Sequence, residues 1–215
     1  MHMPRANNLA LVVLSNILPL LGVLLAGWDI YTLLIFYWME TAIIAFWTVM
    51  TMAFHTGLET WTFDGPTQRN AGFSVGGPAF VLVHSGFFMA IHLFLMSALY
   101  GGDWPGHLRS PEVFLETFLI GQKLWPMLAL VFVHRAAIFW EERNADSLSP
   151  VIASLYMRIV VMQVVIIIGA WGVMLLGSGL FGLILLIAMR AGLDLYWPVV
   201  LAYVLDKTNK AGAPR

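Results

Sequence analysis

Five side chains of metal-ligand type fall inside stretches that otherwise read as apolar: Glu40, His84, His92, His134 and Asp194. Arg158, Gln163 and Arg190 share that setting, and so does Lys123. Carboxylates and imidazoles around a dry cavity are the donor set for a divalent Zn, Fe, Mn or Cu ion. The same groups can relay protons or hold a coupling ion. Glu40 is the hardest to read as scaffolding, because a carboxylate in mid-span must be protonated, paired or metal-bound. Each of the others has a plainer reading. Lys123 can snorkel outward and Arg158 inward. A lone His92 or His134 is more often bonded to a neighbouring helix than to a metal. An Arg190–Asp194 ion pair serves helix packing as readily as chemistry.

Spacing narrows the chemistry. Arg190 and Asp194 stand at i and i+4, on one helix face, and can pair directly. His84 and His92 are separated by about 80° around a helix and about 12 Å along it, so they can line one cavity without sharing one ion. Counting inward from the outer end of each apolar stretch, His92 and Lys123 lie at about 10 Å, and Glu40 and Arg190 at about 15–17 Å. Gln163 comes at about 20 Å, His84 and Asp194 at about 22 Å, and His134 and Arg158 near 27 Å. Equal depth makes Glu40–Arg190–Asp194 a candidate charge cluster. The chain has no cysteine, which excludes thiolate metal sites, iron–sulfur clusters, disulfides and cysteine nucleophiles. It has no H-E-x-x-H, no Glu-x-x-His pair on a span, no G-x-S-x-G and no Gly-rich phosphate loop.

The elements that must position these groups are long and apolar. Sixty per cent of the 215 residues are hydrophobic and 11% are charged, where soluble domains carry about 25% charged residues. Mean hydropathy is +0.83. A soluble fold of this length could not bury that surface, so lipid is the expected solvent. The expectation is an all-α bundle, a single transmembrane domain over residues 1–215. Its six helices run at about 8–27, 30–54, 77–99, 116–139, 153–176 and 179–203. Asp29 can cap the second helix, Ser110-Pro111-Glu112 can open the fourth early, and Ser149-Pro150 can open the fifth. Gly177-Ser178-Gly179 is a minimal turn between the last two. The first stretch is too long for a signal peptide and has no small-x-small site after it, so it reads as a retained helix.

Basic residues set the orientation. Arg5, Arg69, Arg135, Arg143, Arg158, Lys207, Lys210 and Arg215 gather on one side, against Arg109 on the other, with Lys123 slightly inside. Both termini are therefore expected in the cytoplasm. The net charge of −1 gives no sign of a nucleic-acid partner.

Tyr37-Trp38-Met39-Glu40, the His84-Ser85-Gly86-Phe87-Phe88 stretch running on to His92, His134, Arg158-Ile159-Val160-Val161 and Arg190-Ala191-Gly192-Leu193-Asp194 occur in that order. In this the chain resembles a family of uncharacterised bacterial multi-pass inner-membrane proteins, a domain of unknown function, over nearly its whole length. The resemblance implies that Glu40, His84, His92, His134, Arg158, Arg190 and Asp194 belong to one pattern. It implies no activity. Two positions depart from it: Gln163 stands where a histidine is expected, and Arg190 where lysine is usual.

Three functions compete at this point. The first is a metal site, with Glu40, His84 and Asp194 as ligands, His92 and His134 nearby, and Arg190, Arg158 and Gln163 in support; whether it is an enzyme stays open. The second is a proton or ion pathway in which Glu40 and Asp194 titrate. The third is an accessory or assembly subunit of a larger membrane complex, or a homo-oligomer, recognised through lipid-facing helix surfaces.

Overall fold

The computed structural model describes residues 21–56, 59–62, 65–68, 76–102, 106, 108–145 and 147–176, and scattered positions between 184 and 203. Most of the first expected helix, the Gly177-Ser178-Gly179 turn and most of the sixth helix, including Arg190 and Asp194, lie outside the described residues.

The centre of the fold is α1, Ile30–Ala53. Asp29 caps it as its position predicts, accepting from the Thr32 N–H at 2.8 Å. Residues 31–37 are all buried, so the first two turns of α1 are covered on every side. A helix that is apolar all round needs neighbours or lipid on every face, and here neighbours supply them.

A short antiparallel hairpin follows, β1 Glu59–Thr62 and β2 Gly65–Gln68, with Glu59 opposite Gln68 and Thr62 opposite Gly65. Nothing in the sequence reading anticipated it. The chain then enters α2, Gly76–Tyr100, which runs antiparallel to α1. Two bonds fix that register: Tyr31 Oη and Ser97 Oγ at 2.9 Å, and the Trp38 indole N–H donating to the Met89 carbonyl at 2.7 Å.

The expected fourth span departs most from its sequence reading. It is not one helix. A short α3, Pro111–Leu115, continues as a π-helical turn, Glu116–Gly121, and then breaks. The chain resumes as α4, Trp125–Glu142, at 97° to the first piece. Pro126 explains the break, because its ring would strike the carbonyl four residues back, that of Gln122, in a continuous helix. The chain escapes through Lys123, which takes the left-handed φ of +56°. The Leu124 N–H then reaches back to the Phe118 carbonyl at 3.3 Å, closing the helix end as a Schellman bond does.

The Gln122 carbonyl, freed by the break, accepts the Trp28 indole N–H at 3.0 Å. Trp28 is itself placed by a second helix end of the same kind. Gly27 adopts φ +68° and the Trp28 N–H bonds the Gly22 carbonyl at 3.2 Å. A Cβ on Gly22 would run into the Trp28 ring, so only glycine lets the indole close over that turn.

The last fully described helix is α5, Ser149–Leu176. Three bonds at increasing positions, His84–Tyr156, His92–Gln163 and Tyr100–Ile166, show that α2 and α5 run in the same direction. At the far end the Thr56 N–H donates to the Arg143 carbonyl at 2.9 Å, tying the end of α1 to the end of α4.

Among the described residues α1, α2 and α5 are long and apolar enough to cross a membrane, and α3 with α4 makes a fourth if the bent pair is one span. Large apolar side chains also point outward: Phe87 is 61% exposed, Val83 71% and Met174 79%. In water such a surface would aggregate; in lipid it is the expected finish.

Candidate functional site

The sequence-selected polar residues resolve into two hydrogen-bonded seams and one charged cluster. Along α2, each histidine meets a polar side chain of α5. His84 Nδ1 lies 2.9 Å from the Tyr156 hydroxyl. Its ring is stacked on Phe80 at 5.1 Å and meets Phe88 edge-on at 5.1 Å. This imidazole is held by aromatic packing on two sides and a phenol on a third.

His92 is completely buried, and its Nε2 lies 2.7 Å from Gln163 Oε1. With Oε1 as acceptor, the proton sits on Nε2, which leaves Nδ1 a bare lone pair. That nitrogen is buried with no hydrogen-bond partner among the described residues. The two histidines thus face the same helix, as lining one cavity would require, and each engages its own partner there through one ring nitrogen.

The charged cluster is centred elsewhere. Glu40 is 5% exposed near the middle of α1. It falls where one apolar cluster, reaching to Met39 on α1, gives way to another that begins at Ile44. From there its charge acts on both His134 and Arg135 of α4. Arg135 also feels Arg158 of α5 and pairs with Glu142, two turns along the same face, at 3.7 Å. Interpolating between the α1–α2 and α2–α5 bonds places Arg158 at the height of Glu40. Arg135 thus stands at the centre of a charged group, paired with Glu142 and within the electrostatic influence of Glu40 on α1 and Arg158 on α5.

Depth counting missed this group because of the break. An unbroken helix from Glu116 would carry His134 about 27 Å inward; the turn at Gln122–Leu124 removes about 12 Å of that descent. His134 then comes within electrostatic reach of Glu40. The cluster expected instead, Glu40–Arg190–Asp194, has two members outside the described residues. Arg135 and Glu142 were legible as a pair seven residues apart on one helix face, two turns along. In the sequence Arg135 stands out only as one of the basic residues of one side, and Tyr156 lies in an apolar run with nothing to single it out.

A metal centre draws on converging ligands. Among the described residues no three of His, Asp or Glu come together to hold one. His84 and His92 each spend one ring nitrogen on Tyr156 or Gln163, while Glu40 and His134 lie in the group that holds Arg135. Asp194 lies outside the described residues. Lys123, the other polar candidate, is exposed and serves the backbone turn.

The class these features define is a helical protein with three helices fit to cross a membrane and a buried Glu40 on one of them facing the half-buried His134 and Arg135 of α4. More particularly, the chain belongs to the family of unknown function DUF6498, which it matches over residues 2–214. No curated protein and no solved structure matches it.

Proposed function

We propose that this is a multi-pass membrane protein that handles protons or small ions inside the bilayer through Glu40 and His134. The observation that carries the reading is the placement of Glu40: a buried carboxylate at the middle of an apolar helix, with its charge acting on an imidazole and a guanidinium of the neighbouring helix. A carboxylate kept in hydrocarbon is tolerable only with a cationic partner or a proton. Imidazole changes charge at physiological pH. Together they give a site where a proton is gained and lost under the control of Arg135. The six-span arrangement, with both ends on the arginine-rich side in the cytoplasm of a bacterial inner membrane, belongs to the same proposal.

The test is proton flux in vesicles reconstituted with the full-length chain and a pH-sensitive dye. Wild type should dissipate an imposed pH gradient faster than protein-free vesicles, and Glu40→Gln should fall back at least tenfold towards them. Equal rates for wild type and protein-free vesicles, across the common monovalent ions, would sink the proposal. Elemental analysis of the same preparation decides the metal reading. A near-stoichiometric transition metal, lost on Glu40→Ala, would replace the proton site with a metal site completed by residues such as Asp194.

A further inference from the structure

We infer that Pro111–Gly121, α3 with its π-helical turn, lies in the plane of the membrane surface with the lipid headgroup layer as its partner, while α4 alone makes the crossing. The inference rests on the membrane-spanning part of the proposed function and not on its proton site. Helix α4 follows α1 from end to end. Trp28 meets Gln122, the Trp47 ring packs on Phe132 at 5.2 Å and on Phe139 at 5.3 Å, and Thr56 meets Arg143. The piece before α4 stands at 97° to it, and so runs across the direction in which the bundle crosses.

The 18 residues of α4 reach about 27 Å, close to the roughly 30 Å of a hydrocarbon core. A first piece at 97° adds almost nothing to that descent. Exposed tryptophans, Trp125 and Trp140, stand at the two ends of α4, as aromatic belts do at the two interfaces.

The side chains of the first piece divide by face. Phe118 meets Tyr31 edge-on at 5.6 Å and Phe114 meets Trp38 edge-on at 6.1 Å, so one face lies on the start of α1. Each phenylalanine is two residues from a glutamate, about 200° around a helix. Glu112 and Glu116 accordingly stand on the opposite face, and both are exposed. Val113, Leu115 and Ile120 are exposed as well. In hydrocarbon the two carboxylates would be charges without water; in open water the three apolar side chains would be bare. The boundary between headgroups and acyl chains accommodates both sets.

This placement also sets depth. Counted from Trp125, His134 lies about 14 Å inside, and Glu40 counted from Asp29 lies about 16 Å inside. Those matching depths agree with the action of the Glu40 charge on His134.

The chain has no cysteine, so a single introduced thiol carries the only spin label. Full-length protein with Val113→Cys, Leu115→Cys or Ile120→Cys is labelled with a nitroxide and reconstituted in phosphatidylcholine–phosphatidylglycerol vesicles. Depth is read from collisions with oxygen against collisions with a water-soluble nickel chelate. Labels at Phe87→Cys and Leu99→Cys on α2, about 18 Å apart along that helix, supply the scale. All the replaced side chains are exposed, so the fold has room for the label.

The three labels on the first piece should agree within about 3 Å, the rise of two residues, at the shallow depth of Leu99. Labels at Glu112→Cys and Glu116→Cys should meet the nickel chelate several-fold more often than the label at Phe87. Agreement at the depth of Phe87 would overturn the inference. So would a depth that changes by about 10 Å from Val113 to Ile120, the seven-residue rise of a re-entrant or crossing piece, or a Glu116 label shielded from nickel. A Phe87 label as open to nickel as the Glu112 label would remove the membrane crossing, and the inference with it. Absence of proton flux would defeat the site at Glu40 and leave this placement standing.

Discussion

Gln163 has two functional groups and His92 has two ring nitrogens, yet only one atom of each is joined in the contact between them. Among the described residues, that contact is what holds a wholly buried imidazole, so its loss should be felt. Gln163→Leu removes the acceptor and leaves both nitrogens of His92 without a partner. It should destabilise the protein by about 1–3 kcal/mol, measured as the midpoint of thermal unfolding in detergent against wild type. An unchanged midpoint would mean that another group takes over the bond. The histidine itself was evident in the sequence as a polar residue in a long apolar run. Its partner was not, because a residue's neighbour on another helix depends on register, and register is a property of the packed helices. Tyr156 shows the same limit more sharply. A tyrosine in an apolar run is unremarkable until its hydroxyl is found 2.9 Å from an imidazole.

At the scale of elements, the broken helix separates what hydropathy can see from what it cannot. The stretch 116–139 is apolar enough for one span, and a reading based on that alone joins its two pieces. The contrary signals, Gly121 and Pro126, were in the same stretch. Proline inside a lipid-facing helix is often tolerated when neighbours satisfy the freed backbone groups, and here one neighbour, Trp28, does so while leaving the helix broken. By contrast, α1 begins and ends within a residue of the expected bounds, and Asp29 marks its start in the sequence itself.

The break makes a prediction at Lys123. A left-handed φ of +56° is uncomfortable for any residue with a Cβ and free for glycine. Lys123→Gly should therefore stabilise the protein by about 1 kcal/mol, read as a rise in the unfolding midpoint. Lys123→Val should lower it, since a β-branched residue fits that region worst. If glycine lowers the midpoint, the lysine side chain itself supports the turn.

At the scale of the whole molecule, the bonds that set the helix directions also set which loops share a side. Helix α1 runs from Asp29 to the neighbourhood of Arg143, and α2 returns so that Tyr100 comes back towards the Asp29 end. The loop holding Arg109 therefore lies at one end of the bundle and the loop after Arg143 at the other. At the second end Arg143, its guanidinium 4.2 Å over the Trp140 ring, pairs a cation and an aromatic as interfacial anchors do. This predicts that the end with Arg143 faces the cytoplasm. The absence of cysteine makes the test clean, because a single introduced thiol is the only one that can react. Arg109→Cys in intact cells should be labelled by a membrane-impermeant maleimide. Ala145→Cys should be labelled only after the membrane is opened. Labelling of both in intact cells would place the two loops on the same side and contradict the helix directions. The reverse pattern would keep those directions and invert the orientation, placing the Arg143 end outside the cell.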